Sequence, residues 1–506
     1  MNLTRAGRLG RIAVLTLTLL FSSVASADAD FERMAAFTER GMALWHVPGM
    51  AVAVVSRDAV QFSQGFGATA LADGRPVDEH TLFAIASTTK AMVVAGIMML
   101  VDEGKLSLND PIARHIPELQ FSSPLRAETV TVRDLLTHRT GLPSTDFWGF
   151  FQNMPLEEQI RRLQNVPQEA PIRTRLIYQN TMFELAGLLI ERLSGQSWGE
   201  FLQQRLWQPI GMQETFAARG QISAGLSHVM PHGYIDEKVV ATPWDLPAEL
   251  ADAAGSAWSS LHDMSLWAQF LLRDGVTAGG ERLISETGLA EMFEPQQLAS
   301  KADFYPTVAL TQPHWRSYGL GWFQQDFQGR KIDFHTGSLS GLVALIGLDR
   351  AGDRAVVVLG NRDHAEMRHA VLWEVMDHGA DTARRDWNRE IFDLYASSRS
   401  DSERKWSEKK DQRLKHTKPA LPLEAYAGTY RSARNGDIVV QRKGRELELN
   451  TALVTLSMQH WQLDTFLVEY PAWEMREFGT FRIGTDGAVS GLELFGDIFA
   501  RLPPAQ

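Results

Sequence analysis

The hydrophobic pattern divides the chain into stretches with no polar face and stretches with a regular one. Met50–Val55 is an unbroken apolar run of strand length. After a turn at Arg57-Asp58, Val60–Phe66 follows as its hairpin partner. Ser87–Val101 is apolar on every side apart from Thr88, Thr89 and Lys90 at its start. A helix of that kind belongs in the middle of a domain, and Gly104 is placed to cap it. Phe31–Leu44 is a charged amphipathic stretch, and Phe183–Leu193 and Met264–Leu272 read as amphipathic helices. Phe334–Gly337, Val343–Leu348 and Ala355–Leu359 then read as three consecutive short strands, with turns at Leu339–Gly341 and Asp349–Asp353. Strands at both ends with helices between them predict an α+β domain whose sheet is closed by both chain ends.

Asp401–Lys418 is rich in Lys, Glu, Arg, Asp and Ser and reads as a solvated linker, with a helix as one form open to it, ended by Pro419 and Pro422. From Tyr426 onward short alternating segments recur: Ile438–Val440, Glu446–Leu449, Phe466–Val468 and Leu492–Leu494. Turn pairs such as Asn435-Gly436 and Asp486-Gly487 separate them. This predicts a small all-β unit of about 80 residues, a barrel or a sandwich. The expected division is a leader over 1–27, a catalytic domain over 28–385, a charged linker over 386–420 and a β-domain over 421–506.

The leader rests on Arg5, Arg8 and Arg11, the short apolar run Ile12–Phe21, and Ala25-Ser26-Ala27 as an A-x-A cleavage site. It reads as a secretory signal peptide, which implies export to a periplasm or out of the cell. No later stretch is long and apolar enough for a membrane helix, so no stable span is expected after cleavage. Lysines and arginines (50) are outnumbered by acids (61), a net charge of −11. Losing three arginines with the leader leaves 47 bases against 61 acids, −14. Nucleic acid is therefore not an expected partner. With no cysteine there is no disulfide, thiolate nucleophile or Cys-bound metal. A hydroxyl therefore stands among the remaining candidate nucleophiles.

Three separated elements carry candidate chemistry. Ser87 and Lys90 stand one helical turn apart on one face, at the start of the apolar helix. There the hydroxyl meets the positive end of the helix dipole, and the dry setting favours loss of the lysine proton. That is how a hydroxyl nucleophile is activated. Ser402/Lys405 and Ser407/Lys410 match the same spacing, but in the charged linker. Tyr178-Gln179-Asn180 precedes the helix containing Phe183. A phenol beside a lysine serves as a base if the cation lowers its pKa, and the amide can hold both the lysine and a substrate carbonyl. By itself Tyr-x-Asn equally marks a helix N-cap with a core tyrosine. His335-Thr336-Gly337-Ser338 lies on the first late strand, where Gly337 lets substrate backbone approach and the following N–H can join that of Ser87 as an oxyanion hole. A histidine in a strand is also an ordinary core residue.

In this order, Ser-x-x-Lys, Tyr-x-Asn and His-Thr-Gly resemble the serine β-lactamase and penicillin-binding-protein superfamily. In detail they are similar to the class C β-lactamase-related serine hydrolases. Val47–Met50, Leu135–Leu142, Pro209–Met212 and Asn361–Asp363 agree, and the resemblance covers about residues 31–375. It implies an antiparallel sheet flanked by helices with an all-α subdomain. It implies Ser87 as the acylated nucleophile, Lys90 and Tyr178 sharing the general-base role, and Asn180 as the orienting amide. His335, Thr336, Gly337 and Ser338 become the substrate-binding and oxyanion strand, with no metal and no cofactor. Tyr426–Tyr430 and His460–Phe466 look like the lipocalin-like β-domain often appended to this family.

His335 departs from the lysine of true β-lactamases. A neutral histidine gives a weaker positive field for a substrate carboxylate, which lowers the expectation of efficient β-lactamase activity. Pro171–Arg175 lacks the Pro-Gly turn typical before the tyrosine; Arg173 and Arg175 either add positive charge to the site or face solvent. The aromatic stretches Phe147–Phe151 and Phe304–Trp315 either wall an apolar pocket or pack. The expected function is a serine hydrolase cleaving an amide or ester: a peptidase, amidase or esterase. A β-lactamase or DD-carboxypeptidase is the first alternative, and a penicillin-recognising or cell-wall-binding protein with little turnover is the second. The expected partners are a small-molecule or peptide substrate and, beyond that, cell-wall material; the oligomeric state is open. A metallohydrolase lacks its His-Glu-x-x-His motif, the nearest cluster being His364 and His369 around Glu366, and there is no Gly-x-Ser-x-Gly elbow.

Overall fold

The computed structural model describes residues 30–72, 74–244, 247–250, 252–377, 385–471 and 475–503. The segment read as a signal peptide lies outside them. Both ends of the α+β domain meet in one eight-stranded sheet. Its order is Val60–Gly67, Gly49–Val55, Arg354–Gly360, Leu342–Asp349, Arg330–Leu339, Phe323–Phe327, Arg316–Tyr318, Gln297–Leu298. Every pairing is antiparallel. Met50 sits opposite Gly360 and Val55 opposite Ala355, so the first strand is locked between its hairpin partner and the last. Ala51, Ala53 and Val55 enter one apolar core with Ile346 and Val357, while Met50, Val52 and Val54 enter another with Leu345 and Val356. With both faces buried the strand needs no polar alternation, hence its unbroken apolar run.

On one face lies a helical unit. The helix Thr89–Asp102, which follows a 3-10 turn at Ala86–Thr88, buries every residue from Thr89 to Leu100. It packs on Thr181–Ser194 and Glu286–Phe293. Gly104 caps it at φ +68°. The other face is covered by the helix at 30–45, by Met367–Met376 and by the first turn of Trp387–Asp411.

Beyond this, eight antiparallel strands from Gly428–Ser432 to Asp497–Arg501 form a closed barrel, sealed where Tyr430 pairs with Arg501. Closure leaves no edge strand, and Tyr430, Val440, Leu449, Phe466, Leu492 and Phe499 fill the interior. Of the barrel and the sandwich, the chain forms the barrel. The stretch read as a charged linker is mostly a 25-residue helix, Trp387–Asp411. Trp387 and Ile391 anchor its start in the core beneath the sheet. Near its end Trp406 packs on Trp461 of the barrel, with ring centroids 5.4 Å apart. No helix among the described residues is long and apolar enough to cross a membrane.

Candidate active site

The strand Leu82–Ala84 delivers the chain to Ser87 through Ala86, which is forced to φ +45°. A residue with a Cβ adopts that conformation at a cost of about 1–2 kcal/mol, so its surroundings must impose it. Two glycines do. A Cβ on Gly337 would lie 2.2 Å from the Ile85 carbonyl oxygen, and one on Gly255 would lie 3.2 Å from the Ala86 carbonyl carbon. Gly337 is thus required for the strand to close on the turn carrying Ser87, a nearer cause than the substrate approach expected of it.

Lys90 Nζ lies 3.0 Å from Ser87 Oγ, 2.8 Å from Asn180 Oδ1 and 2.6 Å from the Ala254 carbonyl oxygen. Burial pushes the ammonium down to about 8, against the carboxyl groups of Asp252, Asp146 and Glu184, which hold it up. Once neutral, the amine can keep its donor bonds to Asn180 and Ala254 and turn its lone pair to the Ser87 hydroxyl. Asn180 stands at the N-cap of the Thr181–Ser194 helix but makes no capping bond. Its amide instead accepts from Lys90 and donates to Asp146 Oδ1 at 2.9 Å.

Tyr178 presents its ring to the lysine, with Nζ 5.0 Å from the centroid. Burial pushes its hydroxyl well above the usual phenol range. The Ser87 hydroxyl opposes this, too loosely placed for a well-formed hydrogen bond. The lowering expected from the lysine is therefore outweighed, and Tyr178 rests as a neutral phenol. His138, unremarked as a site residue in the sequence, lies tilted against the Tyr178 ring with centroids 4.1 Å apart, and its Nδ1 accepts from the Gln179 N–H at 3.1 Å. That bond fixes the backbone between Tyr178 and Asn180.

The third element, His335–Ser338, divides by the strand's pleat. His335 points to the Ser87 side of the sheet but is buried behind the site. Its Nε2 lies 3.0 Å from the Tyr318 hydroxyl and its Nδ1 2.7 Å from the Thr336 carbonyl oxygen. Burial, with Lys90 nearby, takes its pKa to about 3, so it is neutral. Thr336 and Ser338 point their side chains to the far face. Thr336 bonds the Tyr305 hydroxyl at 2.6 Å, and Ser338 Oγ accepts from Arg368 Nη1 at 2.9 Å. Arg368, also unforeseen, is fully buried and donates to the Gly337 carbonyl at 2.5 Å while pairing with Glu366 at 3.1 Å.

A cavity of about 570 Å³, its open mouth included, lies over Ser87. Asn180 and Ser338 line it; Lys90, Tyr178, His335, Thr336 and Gly337 stand behind its wall. Three carboxyl groups missed in the sequence, Asp146, Glu184 and Asp252, line it too, and among the described residues no lysine, arginine or histidine does. Burial and the neighbouring Asp252 push Glu184 well above the usual carboxyl range. Arg173 and Arg175 bring no charge here: Arg173 is paired with buried Asp134, and Arg175 with Asp303 and Glu169. Of the aromatic stretches, Phe150 alone reaches the cavity wall, while Phe304 and Tyr305 pack behind the Arg330–Leu339 strand.

In the His364–Glu366–His369 cluster, Glu366 is engaged by Arg368, and His369 is buried, its ring held down at about 4 by that burial. Among the described residues, His80, Glu214 and His262 bring one ligand atom each within 4.8 Å of one another, but none of them lines the cavity. The other two Ser-x-x-Lys matches lie on the exposed part of the Trp387–Asp411 helix.

Comparison with known proteins bears on the same regions. The family model described as beta-lactamase matches residues 34–381, and that described as domain of unknown function (DUF3471) matches 412–502. An unguisins hydrolase of Aspergillus violaceofuscus is 28% identical over 439 residues, covering 80% of this chain and 74% of that protein. Penicillin-binding protein 4 of Amycolatopsis lactamdurans is 29% identical over 303 residues, covering 58% and 76%. The octameric penicillin-binding protein homologue from Pyrococcus abyssi superposes with a TM-score of 0.60 at 21% identity, over 93% of this chain and all (100%) of that one.

Proposed function

The chain belongs to the beta-lactamase family, and on that premise we propose that it is a serine hydrolase cleaving an amide or ester bond through an acyl-enzyme on Ser87. The observation that carries this reading is the buried amine of Lys90, poised near its neutral form with Ser87 Oγ at 3.0 Å. In the proposed reaction, Ser87 Oγ attacks the substrate carbonyl and its proton passes to neutral Lys90. The backbone N–H groups of Ser87 and Ser338 receive the oxyanion. Tyr178, a neutral phenol, hands a proton to the departing amine or alcohol and regains one from Lys90. Water then attacks the acyl carbon, gives its proton back along the same route, and releases the acid. Asn180 keeps Lys90 aimed.

The cavity lining supports amide and ester substrates without a carboxylate at the reacting end. Asp146 and Asp252 repel an anion, and neutral His335 offers it no counter-charge. This weighs against a β-lactamase or DD-carboxypeptidase, whose substrates carry that carboxylate. A relative named as a hydrolase agrees with turnover rather than with wall binding alone. We retain residues 1–27 as an export signal. We also retain a catalytic unit over 28–385 and a β-domain from 421, with the Trp387–Asp411 helix joining them.

Intact-mass spectrometry after fluorophosphonate treatment tests the reading. One adduct, mapped to Ser87, is expected; a folded protein without it overturns the proposal. A panel of esters, D-amino-acid amides and nitrocefin then separates the substrate classes, with nitrocefin turned over least.

A further inference from the structure

The helix Phe147–Phe150 has four residues, one of them Gly149. So short a helix does not hold itself in water, so its shape is imposed from outside. One side of this segment faces the cavity: Asp146, Gly149 and Phe150 line it, and Asp146 holds the Asn180 amide that aims Lys90. The other side is embedded in the barrel. Phe147 and Phe151 stack at 4.9 Å and contact Phe495 at 5.2 and 5.5 Å. Trp148 is fully buried and donates from Nε1 to the Arg434 carbonyl and to Asn435 Oδ1, both at 3.1 Å. Arg434 returns a bond to the Ser144 carbonyl at 3.1 Å, Gln152 donates to the Asp437 carbonyl at 2.8 Å, and Leu453 N–H donates to the Phe151 carbonyl at 3.0 Å. Phe151 is a member of the barrel's own apolar core.

We propose that the C-terminal barrel selects the substrate, by clamping residues 146–151 as the outer wall of the cavity over Ser87. The barrel thereby sets which acyl groups fit beside Phe150. This rests on the serine hydrolase reading above. Its logic is that of any pocket wall: displacement of a wall changes discrimination between long and short groups more than it changes the chemistry at the nucleophile.

The test uses the full-length protein and three variants outside the catalytic set: Trp148→Phe, Asn435→Ala and Phe495→Ala. Two readouts are taken. Hydrogen exchange over residues 146–151 should rise at least about tenfold in Asn435→Ala and Phe495→Ala, while the Thr89–Asp102 helix keeps its protection. Across p-nitrophenyl esters of increasing acyl length, the ratio of kcat/KM for the longest to the shortest should change by at least about fivefold, chiefly in KM. The rate of labelling by a small fluorophosphonate should stay within about twofold of wild type. Unchanged exchange overturns the clamp whether or not the esters are turned over, and a uniform change across the series overturns the selecting role. A wild type that takes no fluorophosphonate label overturns the hydrolase reading and, with it, the selecting role, even if exchange confirms the clamp. Trp148→Phe keeps an aromatic ring while losing the N–H shared by Arg434 and Asn435 and part of the indole's volume, so it serves if Phe495→Ala unfolds.

Discussion

Two cations are fully buried on opposite faces of the Arg330–Leu339 strand, and they have opposite environments. Arg368 meets a carboxylate: Glu366 takes two of its N–H groups, and against the cost of burial that pairing keeps the guanidinium charged. Lys90 meets only neutral acceptors, a hydroxyl, an amide oxygen and a backbone carbonyl, with the carboxyl groups beyond direct contact. Its charge is therefore held weakly, and burial brings it to about 8. A buried cation with its counter-ion is a clamp. A buried amine without one is a base waiting for its proton. The strand between them couples the two, because Arg368 grips the Gly337 carbonyl and Ser338 hydroxyl while Gly337 packs on the turn carrying Ser87.

The largest effect should come from the base side. Ser87→Ala should abolish labelling by fluorophosphonate with folding intact. Lys90→Met should slow it by about 10⁴, the upper end for a proton-transfer group. Stopped-flow labelling rates measure both. A Lys90→Met protein with near-wild-type rates would remove the lysine from the mechanism.

Stability should divide the two cations in the opposite sense. Arg368→Met leaves Glu366 buried and unpaired and should cost about 3–5 kcal/mol in urea unfolding. Lys90→Met should cost far less at pH 7. The lysine is lowered from 10.5 to about 8 on folding. The folded state therefore binds fewer protons than the unfolded one between these values, and the lysine opposes folding at pH 7 by up to about 3 kcal/mol. That burden is fully present below pH 8 and lifts as pH rises toward 10.5. Equal losses in the two variants would erase the distinction between clamp and base. Tyr178→Phe should come next, slowing acyl transfer by about 10² while leaving the fold unmoved.

The base was legible in the sequence and the clamp was not. A lone lysine near the start of an otherwise apolar helix, one turn from a serine, carries its own anomaly within four residues. Arg368 and Glu366 sit in an ordinary stretch, and their role appears only when the strand pairing brings Gly337 and Ser338 over them, some 30 residues away in the chain. Asp146, Glu184 and Asp252 were invisible for the same reason: three segments far apart supply one wall. Within the His335–Ser338 motif the strand period was readable, and it alone would have turned the Thr336 and Ser338 side chains away from Ser87. His335, read there as a neutral replacement for a lysine on the substrate strand, is a buried neutral ring bonded to Tyr318. The strands of the sheet were readable as apolar runs, but that the barrel reaches back to Trp148 and Phe150 was not, since contacts between distant aromatic residues leave no periodic signal.

The smallest effect is also the sharpest test of the lysine's state. Only neutral Lys90 can take the Ser87 proton, so the labelling rate should fall about tenfold per pH unit below the inflection near 8 and level off above it. Asp252 is the strongest of the carboxyl groups holding that value up. Asp252→Asn removes its charge yet keeps an oxygen able to accept from the Ala254 N–H, a bond of 2.5 Å, so the carbonyl that receives the lysine should stay in place. The inflection should then move down by less than about one unit, a shift expected for loss of one charge near but not touching the amine. Tyr178 titrates far above this range, so it cannot imitate the movement. An inflection that stays fixed, or moves up, would mean that the group titrating near 8 is not Lys90.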